Sequence, residues 1–165
     1  MKKAILTAFL SMMFLAGMTQ SEIPVWKMTD YQHYVQSDSG KILVINFWAT
    51  FCKPCIAEIP GFTEVVNTYK DQGVTLLLVS LDMPSFYPAK ILRFVKEHSF
   101  TAPVVWLDET DADYFCPLVD KRWSGSIPAT LILNQRTGYR KFMEGEMEKA
   151  EFETEIRKAI TGTPE

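Results

Sequence analysis

Cys52 and Cys55 stand two residues apart, with Lys53 and Pro54 between them. Two thiols at this spacing can close into one disulfide and reopen, so the pair can exchange electrons with other disulfides through a mixed-disulfide step. Their surroundings set their reactivity. The apolar run Ile42-Leu43-Val44-Ile45-Asn46-Phe47-Trp48 precedes them, and Ile56, Ile59, Phe62, Val66 and Tyr69 follow at helical spacing. A buried strand that ends where a helix begins puts Cys52 at a helix N-terminus. There the unpaired N–H groups and the positive end of the macrodipole favour a thiolate. Cys52 is therefore the expected nucleophile and the more exposed sulfur. Cys55, one turn inward, is the expected resolving thiol.

Three nearby residues bear on this chemistry. Lys53 adds a positive charge beside Cys52, with its side chain expected toward solvent. Pro54 lacks an N–H and has a fixed φ, which suits a first helical turn and stiffens the loop. Glu58 follows Cys55 by three residues and shares its helix face. If buried, its pKa rises and it can accept the Cys55 proton; if exposed, it is an ordinary solvated helix residue. A zinc site is not expected, because a closed one takes four ligands. There is no second Cys-x-x-Cys, and His33 and His98 lack ligand spacing. The third cysteine, Cys116, makes the count odd and rules out a disulfide framework. It reads as a small buried residue, with a resolving or intermolecular thiol as the alternative.

These residues need elements to hold them. Val25–Met28 reads as a short edge strand, and 31–36 as a short helix capped by Thr29 or Asp30 and closed by the turn 37–40. Lys41–Trp48 reads as a buried strand. The helix 53–71 contains Pro60, which should kink it, and stops before Gly73. Strands over 74–81 and 102–107 bracket a Pro-rich loop (82–88) and a helix over 89–98. A short helix lies within 108–123. Strands 129–134 and 139–144 flank Gln135-Arg136-Thr137-Gly138 as a hairpin, and an amphipathic helix closes the chain over 148–160. Strands alternating with helices give an α/β sheet covered on both faces, and the hairpin makes it mixed. Trp123, Phe86 and Tyr87 read either as loop aromatics or as a border to a substrate groove.

The 165 residues suit one domain and a short extension, and a composition 47% hydrophobic and 22% charged is that of a globular protein. The net charge is −3, and no basic cluster follows the first residues, so no nucleic-acid partner is expected. Met1-Lys2-Lys3, an apolar stretch from Ala4 to Met18 and the polar Thr19-Gln20-Ser21-Glu22 follow the order of a secretory leader. Residues 1–20 are expected to be a signal peptide or an N-terminal membrane anchor. Residues 21–165 are expected to be one domain outside the cytoplasm.

The stretches Phe47-Trp48-Ala49-Thr50-Phe51-Cys52-Lys53-Pro54-Cys55, Glu58-Ile59-Pro60, Val79-Ser80-Leu81-Asp82 and Gly125-Ser126-Ile127-Pro128-Ala129-Thr130 carry a family likeness. Through them the chain resembles the thioredoxin superfamily, and within it the exported TlpA/ResA-like thiol–disulfide oxidoreductases. The likeness covers nearly everything after the leader. It implies a thioredoxin-like fold with a central mixed β-sheet flanked by helices on both faces. The helix 89–98 and the strand after it would be the extra strand–helix insertion of these exported relatives. It also implies a cis bond between Ile127 and Pro128, which would turn the Ile127 backbone toward a substrate for strand-like pairing. The residues alone also allow a trans proline opening an edge strand. Ile127, Pro128, Trp48 and Pro54 form the expected substrate-binding set, with Trp48 packed under the dithiol loop. Two departures matter. Asn46 stands where thioredoxins carry a buried Asp, and an amide cannot take a proton from the second thiol. Glu58 is left as the acceptor, and the exported relatives carry Glu there too. Phe51 stands where a Trp often precedes the first Cys.

The resemblance implies an exported thiol–disulfide oxidoreductase that reduces protein disulfides, and Ile127 matches the residue of reducing thioredoxins. The dithiol is the redox group, so no cofactor and no metal are expected. A membrane-embedded thiol donor would recharge it, and its clients would be disulfide-containing exported proteins, apocytochrome c among those served by such families. The rivals are a disulfide oxidant or isomerase and a non-catalytic thioredoxin-like binding module. A peroxidase needs a single activated Cys in a different loop context.

Overall fold

A computed structural model describes residues 22–37 and 40–162. The expected leader lies outside the described residues, as do Asp38 and Ser39 of the expected turn.

Six strands form one sheet in the order β1-β4-β3-β2-β5-β6. The strands are β1 (Val25–Trp26), β2 (Ile42–Trp48), β3 (Val74–Ser80), β4 (Val104–Leu107), β5 (Ala129–Asn134) and β6 (Tyr139–Glu144). The first four pair in parallel, while β5 runs antiparallel to β2 and to β6. The sheet is mixed, as the hairpin predicted. Every residue of β2 is buried because the strand has a partner on each edge and helices on each face. A continuous apolar run is what such a position demands.

The side chains of β2 alternate between two cores. Ile42, Val44 and Trp48 join one core; Leu43, Ile45 and Phe47 join the other. Three helices cover the first face: α2 (Lys53–Tyr69) after β2, α3 (Ala89–Glu97) before β4, and α5 (Lys149–Thr161) at the end. Phe62 of α2 stacks on Phe152 of α5 with centroids 3.9 Å apart, which locks these two helices together over the sheet. The second face is covered by α1 (Met28–Gln36) and α4 (Ala112–Val119). The helix–strand unit of α3 and β4 sets β4 between β1 and β3, the place of the extra element.

Local differences have local causes. Helix α1 begins at Met28 rather than Tyr31, with Lys27 as its cap residue and the Asp30 carboxylate accepting from the Lys27 N–H at 2.8 Å. Asp30 is thus the third helical residue, closing the first turn from inside. Helix α2 runs through Pro60, and Gly73 ends the 3₁₀ turn after it at φ +83°, a conformation glycine adopts without steric cost.

Candidate active site

β2 hands the chain to α2 across Ala49-Thr50-Phe51, and Cys52 is the cap residue of α2. Its sulfur accepts from the Cys55 N–H at 3.3 Å. Cys52 and Cys55 are joined by a disulfide, with their Cα atoms 5.3 Å apart. Cys52 keeps 7% of its surface exposed and Cys55 none, the asymmetry expected of an attacking and a resolving sulfur. Lys53 and Pro54 are exposed as the first two residues of α2.

The loop before Cys52 is tied down by a residue that sequence reasoning left without a role. Asp82 lies just past β3 and is buried. Its two carboxylate oxygens each accept from the Thr50 N–H at 3.1 Å, and it also accepts from the Thr50 hydroxyl (2.6 Å) and the Ser80 hydroxyl (2.8 Å). The Asp82 carbonyl accepts from the Trp106 indole at 2.8 Å. A carboxylate just past a largely apolar strand was the available signal, since a buried charge there demands donors.

Glu58 is buried one turn beyond Cys55. Its Oε1 accepts from Asn46 Nδ2 at 2.8 Å, and its Oε2 accepts from the Met147 N–H at 3.0 Å. Burial pushes its pKa up to about 7; the two hydrogen bonds pull down, and the like charge of Glu146 pushes up. The reading of Glu58 as a solvated helix residue therefore falls. A carboxyl held above its ordinary range weakens the fold when it ionises. From roughly pH 4.3 up to about pH 7, the folded protein keeps a proton that the unfolded chain releases. Stability then falls as pH rises through that window, by on the order of 3 kcal/mol. Glu58→Gln is expected to remove this slope. Urea unfolding of both proteins at pH 5 and pH 8 checks it, and equal pH dependence in the two would refute it.

The Ile127–Pro128 bond is cis, and Ile127 lies just outside the ladder, which begins at Ala129. The turn before it is fastened by Glu144 at the end of β6, which accepts from the N–H groups of Ser124 (3.1 Å) and Ser126 (3.0 Å) and from the Ser124 hydroxyl. Glu144 was also unassigned from sequence, where a strand-end carboxylate carries no signal. A groove of about 360 Å³ runs beside the dithiol loop, lined among others by Phe51, Leu81, Met83, Phe115 and Ile127. Phe51 and Met83 are 61% and 55% exposed, so the lip of the groove is apolar and open.

One expectation needs correction. Trp48 was expected in the substrate-binding set, but it is fully buried. Its ring packs against Phe94 and Phe100 at 5.8 and 5.4 Å, inside the core beneath the strand end and closed to solvent. Of the two readings of Trp123, Phe86 and Tyr87, packed aromatics is the one that stands, since none of them lines this groove. Trp123 is buried against Phe47, Phe86 lies under Lys90, and Tyr87 stacks on Trp106. Cys116 is buried in α4, and burial, aided by Glu144 and Asp113, pushes its thiol up to about 11. A thiol so held is a poor nucleophile at neutral pH. Among the described residues no three His, Cys, Asp or Glu side chains gather into a metal-binding group.

The profile of the AhpC/TSA family matches residues 20–138. The thiol-disulfide oxidoreductase ResA of Geobacillus kaustophilus is 26% identical over 140 residues, 85% of this chain and 75% of that protein. Among solved structures, a thioredoxin-related protein from Neisseria meningitidis serogroup B superposes with a TM-score of 0.60 at 24% identity, covering 77% of this chain and 87% of that one. A secreted Mycobacterium tuberculosis disulfide oxidoreductase superposes with a TM-score of 0.54 at 19% identity, covering 72% and 81%. These likenesses carry the thioredoxin-like fold.

Proposed function

The chain belongs to the AhpC/TSA family, and on that premise we propose that it is a thiol–disulfide oxidoreductase working outside the cytoplasm as a reductant of protein disulfides. One observation carries the reading: a Cys-x-x-Cys disulfide at the start of α2, with its second cysteine one turn from a buried carboxyl held near neutrality. A structural crosslink has no use for such a group, whereas a thiol that must lose a proton does.

In the reduced protein the Cys52 thiolate, stabilised by the N–H groups of the first turn of α2, attacks one sulfur of a client disulfide. The client S–S bond breaks, one client thiolate leaves, and Cys52 is joined to the other client sulfur. Cys55 passes its proton to Glu58 and attacks the Cys52 sulfur. The second client thiolate leaves and takes up a proton, and the Cys52–Cys55 disulfide remains. Two electrons have passed to the client. A client segment would lie along the groove beside Phe51 and Met83 and pair with the Ile127 backbone.

A membrane-embedded thiol donor returns the electrons, and the clients are exported proteins with disulfides, the class to which apocytochrome c belongs. The basic-then-apolar start of the chain and the secreted M. tuberculosis likeness support the extracytoplasmic location.

The direction of electron flow is tested by the reduction potential of the couple in Cys116→Ser protein, equilibrated against glutathione or dithiothreitol. A value near ~−250 mV or lower is expected for a reductant. A value of roughly −180 to −120 mV would make the protein an isomerase or oxidant. A pair that does not titrate as a two-electron couple would leave a non-catalytic binding module.

A further inference from the structure

We propose that Asn46 is the positioning residue for Glu58: its amide donates to the ionised carboxylate and turns over to accept from the protonated one. This rests on the proton-accepting role given to Glu58 above.

Asn46 sits in the middle of β2 and is fully buried. Its Nδ2 donates to Glu58 Oε1 at 2.8 Å and to Thr130 Oγ1 at 3.0 Å. Its Oδ1 is buried with no hydrogen-bond partner among the described residues. This orientation suits an ionised Glu58, which offers acceptors only. It leaves a buried acceptor unmade, and an apolar residue in β2 would avoid that cost.

The unused oxygen has a use once Glu58 takes a proton. A carboxyl O–H directed at Nδ2 would meet a donor with a donor. A half-turn of the amide exchanges the positions of Nδ2 and Oδ1; Oδ1 then accepts from the Glu58 O–H, and the place without a partner passes to Nδ2. The Thr130 hydroxyl can donate as well as accept, so it rotates and stays bonded. The terminal torsion of an Asn side chain is broad and roughly two-fold, so the turn needs no backbone movement. The Met147 N–H holds the other carboxyl oxygen in both states.

The charge balance explains why an amide serves here. A cation at position 46 would hold Glu58 ionised, and a second carboxylate would hold it protonated. Around Glu58, β2 and β5 supply the neutral Asn46 and Thr130. The loop before α5 supplies the like charge of Glu146, and α2 itself supplies Cys55. Asn46 thus holds the carboxyl in both states, and the bond it donates pulls the carboxyl's pKa down against the upward push of burial and Glu146.

The test follows Glu58 and Asn46 by NMR in the oxidised full chain across pH 5–9, beside the pH profile of mixed-disulfide resolution in single turnovers. In the wild type the Asn46 side-chain NH2 signals are expected to shift with the same midpoint as the Glu58 carboxyl carbon. Asn46→Ala removes a donor to the carboxylate and is expected to raise that midpoint, and the limb of the resolution profile, by about one pH unit. Asn46→Asp, which keeps the side chain's shape if the alanine variant does not fold, is expected to raise it further through like charge. Amide signals that ignore the Glu58 midpoint, or a midpoint unmoved in the folded variants, would overturn the proposal and leave Asn46 a structural residue. A resolution profile unchanged in Glu58→Gln would remove the proton-accepting role, and the proposal with it.

Discussion

Cys55→Ala is expected to stop the protein at its first chemical step and leave it covalently joined to its client, whereas Cys52→Ala forms no adduct. The difference follows from position. Cys52 caps α2 and keeps some exposure, while Cys55 lies inside the first turn with none. Without Cys52, no accessible thiolate remains, since Cys55 is covered and the Cys116 thiol is buried and pushed up to about 11. Turnover in either variant should fall by on the order of a thousandfold or more, as for loss of a nucleophile that acts as part of a unit. Insulin reduction with dithiothreitol as donor measures the loss. Non-reducing gels and mass spectrometry identify the adduct. A Cys55→Ala protein that captures no disulfide partner, small or large, would argue for a binding module instead.

Glu58→Gln should slow release of the mixed disulfide by about 10²-fold near pH 7, the lower end of what a positioned acid or base contributes. The amide keeps the size of the side chain and an oxygen for the Met147 N–H, so packing around Cys55 changes little. What is lost is a proton acceptor placed near neutrality by burial. The wild-type rate should rise with pH through about 7 as the carboxyl ionises. The variant should lack that limb and depend on the ionisation of Cys55 itself. The two rates should therefore converge at high pH, where Cys55 loses its proton to solvent. Stopped-flow release of a fluorescent client from the mixed disulfide, from pH 5 to 10, separates these cases. A gap that stays constant across the range would mean that Glu58 acts by packing alone.

Much of this was readable before any coordinates, and the reasons are local. The seven apolar or neutral residues of β2, the helical spacing after Cys55 and the hairpin around Gly138 are short-range patterns, and the structure keeps them. The boundary at Cys52 follows because the residue that ends a buried strand and opens a helix must be a cap. The alternation of strands and helices left few topologies, and β4 entering between β1 and β3 is the one realised.

What escaped the sequence depends on partners far along the chain. Whether Glu58 is solvated or buried turns on Met147, 89 residues away, and on Asn46 across the interface between α2 and the sheet. Asp82 clamps Thr50 over 32 residues, and Glu144 holds the turn ahead of Pro128 over about 20. Trp48 was expected under the loop and lies there, but its place in the substrate-binding set fell for the same reason: periodicity shows that it alternates with Phe47, not that Phe94 and Phe100 close over it. By itself the sequence determined the dithiol, its seat at a helix N-terminus and the α/β alternation, because these arise from neighbours within a turn or a strand. Only the tertiary structure decided which carboxyl is buried, which loop is pinned and which face stays open, because burial depends on which distant element covers each face.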